Sequence, residues 1–274
     1  MMGRWVMAVA QHTVTTRDTE TELVSIRKID LHDLRMSLEQ GWKDFLDLRG
    51  DLVFIGLVYP AAVVLAVIYA FQQSLLPLIF PLLAGSILFG PAIAASFYEL
   101  ARRREQGLDT RWRHFLDVLR GPAAFQLFAM TAILFLLFMF WVTSAWLIYI
   151  VTLGKAAPDA TGSVAAFLHA VFTTPAGWQM IIVGNLVGLV FATLALALTV
   201  VSFPMVVDRP VGVGVAMHTS LRVAWQNPIP VAIWGLIVVA MLIVGSLPAF
   251  IGLAVVLPVL GYSTWHLYTR AVSR

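Results

Sequence analysis

The 274-residue chain has no cysteine and little charge. The first absence excludes disulfides, thiol nucleophiles, cysteine-held zinc and iron–sulfur clusters. Charged residues are 12% of the total and hydrophobic ones 60%, whereas about a quarter of a soluble domain is charged. With a mean hydropathy of +0.87, most of this chain is expected to have lipid as its solvent. Motifs of chemistry are missing too: there is no H-E-x-x-H, no GxSxG, no P-loop and no paired carboxylate inside an apolar stretch. The six histidines (His12, His32, His114, His169, His218 and His266) contain no i, i+4 pair, and only His266 falls near the end of an apolar stretch. A haem buried in a bundle needs axial ligands on facing helices at matching depth. No haem, other cofactor or metal is therefore expected, and catalysis within the bilayer is not expected either.

What the chain does have is six apolar stretches, at 52–71, 75–100, 125–151, 178–206, 230–244 and 248–268. A helix crosses a hydrocarbon core with about 20 residues at about 1.5 Å each. Threaded as six spans, the chain places its amino-terminal segment, the 101–121 and 207–229 loops and its tail on one side, with seven, six, two and two Lys and Arg residues, and leaves only Lys155 on the other. A cytoplasmic excess of Lys and Arg orients membrane proteins, so both termini are expected in the cytoplasm. The pI near 9.4 then reflects loops facing anionic lipid headgroups rather than a nucleic-acid partner. The longest loop, 152–177, is too short for a separate domain.

Residues 1–29 read as a mobile tail and 30–270 as one membrane domain. Three short segments before hairpins carry apolar stripes. They are Leu31, Leu34, Leu38, Trp42 and Phe45, with Asp30 as N-cap and Asp33 in the first turn; Trp112, Phe115, Leu116 and Leu119; and a weaker set of Met217, Leu221, Ala224 and Trp225. Such stripes suit amphipathic helices lying in the cytoplasmic interface or packing on the mouth of the bundle. A fourth, Val164, Phe167, Leu168, Val171 and Phe172, belongs to the opposite face. Asn227 before Pro228 and Pro230 reads as a helix start.

Two gapless registers suggest repetition. Residues 81–103 on 248–270 align Pro81 with Pro248, Pro91 with Pro258, Ser96 with Ser263 and Arg103 with Arg270; residues 95–122 on 201–228 align Ser96 with Ser202, Arg103 with Arg209 and Pro122 with Pro228. The expected fold is all-α and polytopic: six transmembrane helices as three parallel hairpin repeats (30–107, 108–210 and 211–270), each preceded by an amphipathic interfacial helix. Parallel repeats differ from the inverted repeats of many transporters.

Helices in lipid associate through small residues. Ala62, Ala66 and Ala70, and the GxxxG of Gly184 and Gly188, are the packing candidates. Asn185, inside that GxxxG, is expected to bond a neighbouring helix, with a polar pathway as the alternative. The densest polar cluster lies around Glu99, Arg102 and Arg103. An ion pair at i, i+3 and i, i+4 is expected there, with ligand or proton handling as the alternative. The repeat register sets Glu99 against His266, so a shared cytoplasmic vestibule is a further possibility.

Five stretches together resemble a bacterial family of integral membrane proteins of unknown function, some of whose members are labelled cytochrome c oxidase subunit I. They are Gly41-Trp42-Lys43-Asp44-Phe45; Gly90-Pro91 through Tyr98-Glu99-Leu100-Ala101-Arg102-Arg103 to Gly107; Ser202-Phe203-Pro204-Met205 with Asp208-Arg209; Ser220-Leu221 to Asn227-Pro228; and Pro258 to Gly261 with Thr264-Trp265-His266-Leu267-Tyr268. The resemblance covers about 27–270 and implies a multi-pass protein of the bacterial inner membrane. The histidine pattern argues against the oxidase label. Three functional classes remain: a non-catalytic accessory or scaffold, with membrane-protein partners or a homo-oligomer; a small transporter or channel; and a haem-free accessory subunit of a respiratory complex.

Overall fold

A computed structural model of the chain describes residues 24–56, 75–248 and 250–273. The regular structure among the described residues is helical, apart from a single antiparallel bridge between Ile26 and Val272. Four helical stretches are long and apolar enough to cross a membrane: Leu76–Glu105, Ala124–Gly154, Pro175–Asp208 and Pro228–Ser246. They coincide with the second to fifth expected spans. The first, with Ala62, Ala66 and Ala70, lies mostly outside the described residues, as does the tail up to residue 23.

Helix α1 (Leu31–Gly56) begins as the sequence requires. The Asp33 N–H donates to Asp30 Oδ1 at 2.9 Å and the Asp30 N–H to Asp33 Oδ2 at 3.1 Å, so each carboxylate satisfies an orphan donor of the first turn. Leu34 and Phe45 are buried, Leu38 is partly buried, and Leu31 and Trp42 face outward. The first of these four described spans is built from α2 (Leu76–Ser86) and α3 (Gly90–Glu105), joined through a 3₁₀ turn at Ile87–Phe89. Helix α4 (Ala124–Tyr149) runs on through a π turn to Gly154, and α5 (Val164–Thr173) returns on the opposite side. There Val171 is buried, whereas Val164, Leu168 and Phe172 are exposed.

The third span breaks between α6 (Pro175–Thr199) and α7 (Ser202–Asp208). Pro204 has no N–H to give the carbonyl four residues back, and its ring crowds that carbonyl. Ser220 of α8 (Val213–Gln226) fills the gap: its hydroxyl donates to the Ala197 carbonyl at 2.8 Å and accepts from the Val201 N–H at 3.4 Å. Helix α9 (Pro228–Ser246) is the fourth span.

The sixth expected span becomes α10 (Leu253–Ala271), which is not among the four. Most of its length is buried against α1, α3, α7 and α9. Its polar carboxyl half finds protein partners instead of lipid: His266 meets Asp44 at 2.8 Å and Tyr268 donates to Asp208 at 2.7 Å. Arg270 reaches Asp33 at 3.4 Å, so α1 and α10 run antiparallel. Their seam is close at Gly41, where a Cβ would fall 2.1 Å from Ser263 Oγ and 2.6 Å from the Ser263 backbone nitrogen. Gly41→Ala is expected to cost about 1–3 kcal/mol through overpacking. Gly90→Ala, where nothing lies within 4 Å of the new Cβ, is the matched control in a thermal melt.

Two expected stripes are only partly buried. Residues 112–119 form a 3₁₀ helix, and with three residues per turn the buried positions become Phe115 and Val118 while Leu116 and Leu119 turn outward. On α8 the buried face is Ala216, Thr219, Ser220 and Val223, whereas Leu221 is exposed and Trp225 is 88% exposed. Small residues are needed inward there because Ser220 must reach the α6 to α7 break.

The helix starts at Pro228 with Asn227 at the N-cap position, as expected, but the Asn227 side chain is used differently. Its side chain makes no cap bond; its Oδ1 accepts from the Ile29 N–H at 2.9 Å and its Nδ2 donates to the Arg27 carbonyl at 3.3 Å. Residues 24–29, read from sequence as tail, are thereby tied to α9. They also pair with the carboxyl end, through Arg27 N–H to the Ala271 carbonyl at 2.9 Å and Ser273 N–H to the Ser25 carbonyl at 3.0 Å.

Candidate functional site

Three span ends converge on one cleft of about 510 Å³. Glu99, Arg102 and Arg103 come from the end of α3, Gly121 to Ala123 and Gln126 from the start of α4, and Val206 to Val211 from the end of α7. Asp117, Val118 and Arg120 of the 3₁₀ segment close its side.

Glu99 is 5% exposed. A buried carboxylate is costly unless its lone pairs are met, and here they are met twice. Arg102 grips it with Nε and Nη2 at 2.9 and 2.8 Å, and Arg103 donates from Nε at 2.8 Å. Arg103 extends the chain of charges to Asp117 at 2.9 Å, and Asp117 meets His114 Nδ1 at 2.6 Å. The hydrogen bond from His114, followed by the nearby charges of His114, Arg103 and Arg120, holds the Asp117 carboxyl below its ordinary range. Asp109 is held down to about 2, first by the Arg111 backbone N–H, then by Arg113 and His114. On the other wall Asp208 lies 3.6 Å from Arg209, which donates to the Ser273 carbonyl at 3.2 Å.

His266 belongs to a separate network. It shares Asp44 with Arg104, whose Nε lies 3.4 Å from that carboxylate, and Arg104 also pairs with Asp47. Glu99 and His266 are therefore not brought into one vestibule: Glu99 lines the cleft and His266 does not. The predicted pairing of Glu99 with Arg102 and Arg103 is present as expected.

Among the described residues Asn185 does not reach a neighbouring helix. It sits on the exposed side of α6, and its Nδ2 donates to the Ile181 carbonyl of the same helix at 2.8 Å. Of the GxxxG pair, Gly184 has nothing within 4 Å of an added Cβ among the described residues, while a Cβ on Gly188 would come within 3.0 Å of the Trp141 ring. The motif holds an indole, not a second backbone. Trp141 donates from Nε1 to the Pro81 carbonyl at 2.8 Å, and its ring also passes close to Gly85.

Residues 79–208 match the family model described as Predicted integral membrane protein (DUF2189). No curated protein and no solved structure matches the chain. The chain is an integral membrane protein with several apolar helices. The DUF2189 match begins inside α2, ends at Asp208 and takes in all the cleft residues except Arg209, Pro210 and Val211. It is narrower than the stretch over which the sequence resembles such a family. Among the described residues no group of three or more His, Asp or Glu is arranged to hold a metal ion.

Sequence reasoning singled out Glu99, Arg102 and Arg103 as site candidates but not Asp117, Arg120 or Gln126; Asp208 entered only within the resemblance, beside Arg209. The one available signal was the second repeat register, which sets Arg209 against Arg103. Asp117 has no comparable marker, because its role depends on how the 3₁₀ segment folds back on α3.

Proposed function

We propose that this protein is a non-catalytic accessory or scaffold element of the bacterial cytoplasmic membrane, with its arginine-rich end in the cytoplasm. The observation that carries the reading is how the polar side chains of the spans are satisfied. Thr131, Ser144, Asn185, Thr193 and Ser246 each donate to the carbonyl four residues back in their own helix, at 2.7, 2.7, 2.8, 2.8 and 2.7 Å. A transport path needs polar groups turned toward a shared interior, and these are turned onto their own backbones.

The outward faces of the spans are apolar. Phe135 and Phe140 of α4, Leu186 and Leu189 of α6, and Leu236 and Ile243 of α9 are all exposed, which suits lipid or partner helices. A channel or transporter is the second reading, favoured by the access of the cleft to Glu99. That cleft is lined by span ends and leaves Asn185 aside.

Three parallel units and six crossings are part of the same proposal. The registered serines Ser96, Ser202 and Ser263 are all buried, as are Leu100 and Leu267, which supports like environments at repeat positions. With no cysteine in the chain, a single cysteine introduced at Thr110, Asp159 or Ser273 reports its side without background. Labelling from the cytoplasmic side is expected at Thr110 and Ser273 but not at Asp159. Reconstituted in planar bilayers, the full chain is expected to carry no current above bare lipid. A current abolished by Glu99→Gln would overturn the scaffold reading.

A further inference from the structure

We propose that the arginine cleft binds an anionic phospholipid, with the phosphate diester between Arg120 and the first turn of α4 and the acyl chains along Phe125 and Phe128. The proposal rests on the chain being an integral membrane protein and names a partner for the end we place in the cytoplasm. Four arginines face three carboxylates across the cleft, Arg102, Arg103, Arg120 and Arg209 against Glu99, Asp117 and Asp208, leaving an excess of one positive charge. Three of these arginines are engaged within the protein. Arg120 is exposed; its backbone N–H donates to the Asp117 carbonyl at 3.0 Å and its charge is felt by Asp117, but its guanidinium makes no hydrogen bond or ion pair among the described residues.

The second element is the start of α4. Ala123 stands at its N-cap without a side-chain bond. Ala124 and Leu127 donate to Gly121 and Ala123, but among the described residues the N–H groups of Phe125 and Gln126 find no acceptor. Free N–H groups at the positive end of a long helix, beside a free guanidinium, suit an anion.

The third element decides which anion. Phe125 is 75% and Phe128 74% exposed, and Leu119 on the adjoining segment is exposed as well. A soluble phosphate gains nothing from that apolar rim. A lipid gains a surface for its chains just where its headgroup meets the ends of the spans. The volume of about 510 Å³ lies in the usual range of about 300–1,000 Å³ for pockets that take small organic ligands. Basic pockets between span ends are suited to anionic headgroups.

Native mass spectrometry of the full chain in detergent tests this, with phosphatidylglycerol, phosphatidylcholine and inorganic phosphate as probes. Phosphatidylglycerol is expected to bind about fivefold more tightly than phosphatidylcholine, whose choline cancels the charge, and R120Q is expected to bring the ratio close to one. R120K keeps the charge and should keep the preference. So should R111Q, which removes an exposed arginine on the same side that does not line the cleft. A preference that survives R120Q, or that falls equally in R111Q, overturns the proposal. So does displacement of phosphatidylglycerol by an equal concentration of inorganic phosphate, which would make this a soluble-anion site. None of these readings depends on the bilayer current that tests the scaffold.

Discussion

Glu99→Ala should lower the unfolding free energy of the detergent-solubilised protein by about 3 kcal/mol, the lower end of what breaking a buried ion pair costs. Glu99 is almost inaccessible, while Arg102 and Arg103 keep partial contact with solvent, at 26% and 18% side-chain exposure, which places the expectation at that lower end. The cost arises chiefly from the two guanidinium groups left behind without their shared acceptor. Glu99→Gln keeps the volume and one acceptor oxygen and should fall between wild type and alanine. Chemical or thermal unfolding followed by tryptophan fluorescence is the measurement, and equal stability of all three proteins would show that the ion network is not closed as described. The same substitution raises the net charge of the cleft by one. A less stable protein that retains more phosphatidylglycerol is therefore expected, a combination that generalised unfolding would not produce.

Trp141→Ala should cost a similar amount, about 3 kcal/mol, within the range for emptying a large aromatic site. The indole is buried between Gly85 of α2 and Gly188 of α6, lies 5.8 Å from the Phe191 ring and donates to the Pro81 carbonyl. In lipid this seam has no hydrophobic drive of its own, so shape and dispersion hold it together. Trp141→Phe retains most of the ring but loses the N–H, leaving the Pro81 carbonyl without its donor, and should cost about 1 kcal/mol. If alanine and phenylalanine destabilise equally, the hydrogen bond carries the seam. If neither does, α2, α4 and α6 do not meet through this residue.

Local rules made several of these features legible in advance. The Asp30 and Asp33 cap, the pairing of Glu99 with two arginines one turn away, and the middle four apolar helices all depend on neighbours within four residues or on unbroken hydrophobic length. Features that depend on distant partners were not legible in the same way. Asn227 stands at the helix start as read, but its side chain binds backbone about 200 residues away as well as the Val223 carbonyl. Asn185 reads as a link between helices and is satisfied by its own. The stripe on 112–119 follows a period of 3.6 in the sequence, but the segment winds with a period of 3, so half of the stripe faces outward. The last apolar stretch reads as a helix, but nothing local in it says that α1 and α3 cover it.

Composition, hydrophobic length and the distribution of arginine determined by themselves that this is a helical membrane protein with a strongly basic end, because lipid admits only long apolar helices and local charge pairing needs no distant partner. The tertiary structure decided which apolar helix is covered by protein rather than lipid. It also decided which glycine accepts an indole and which arginine is left free beside an uncapped helix start. Those outcomes depend on residues brought together from opposite ends of the chain, and no local pattern encodes their distance.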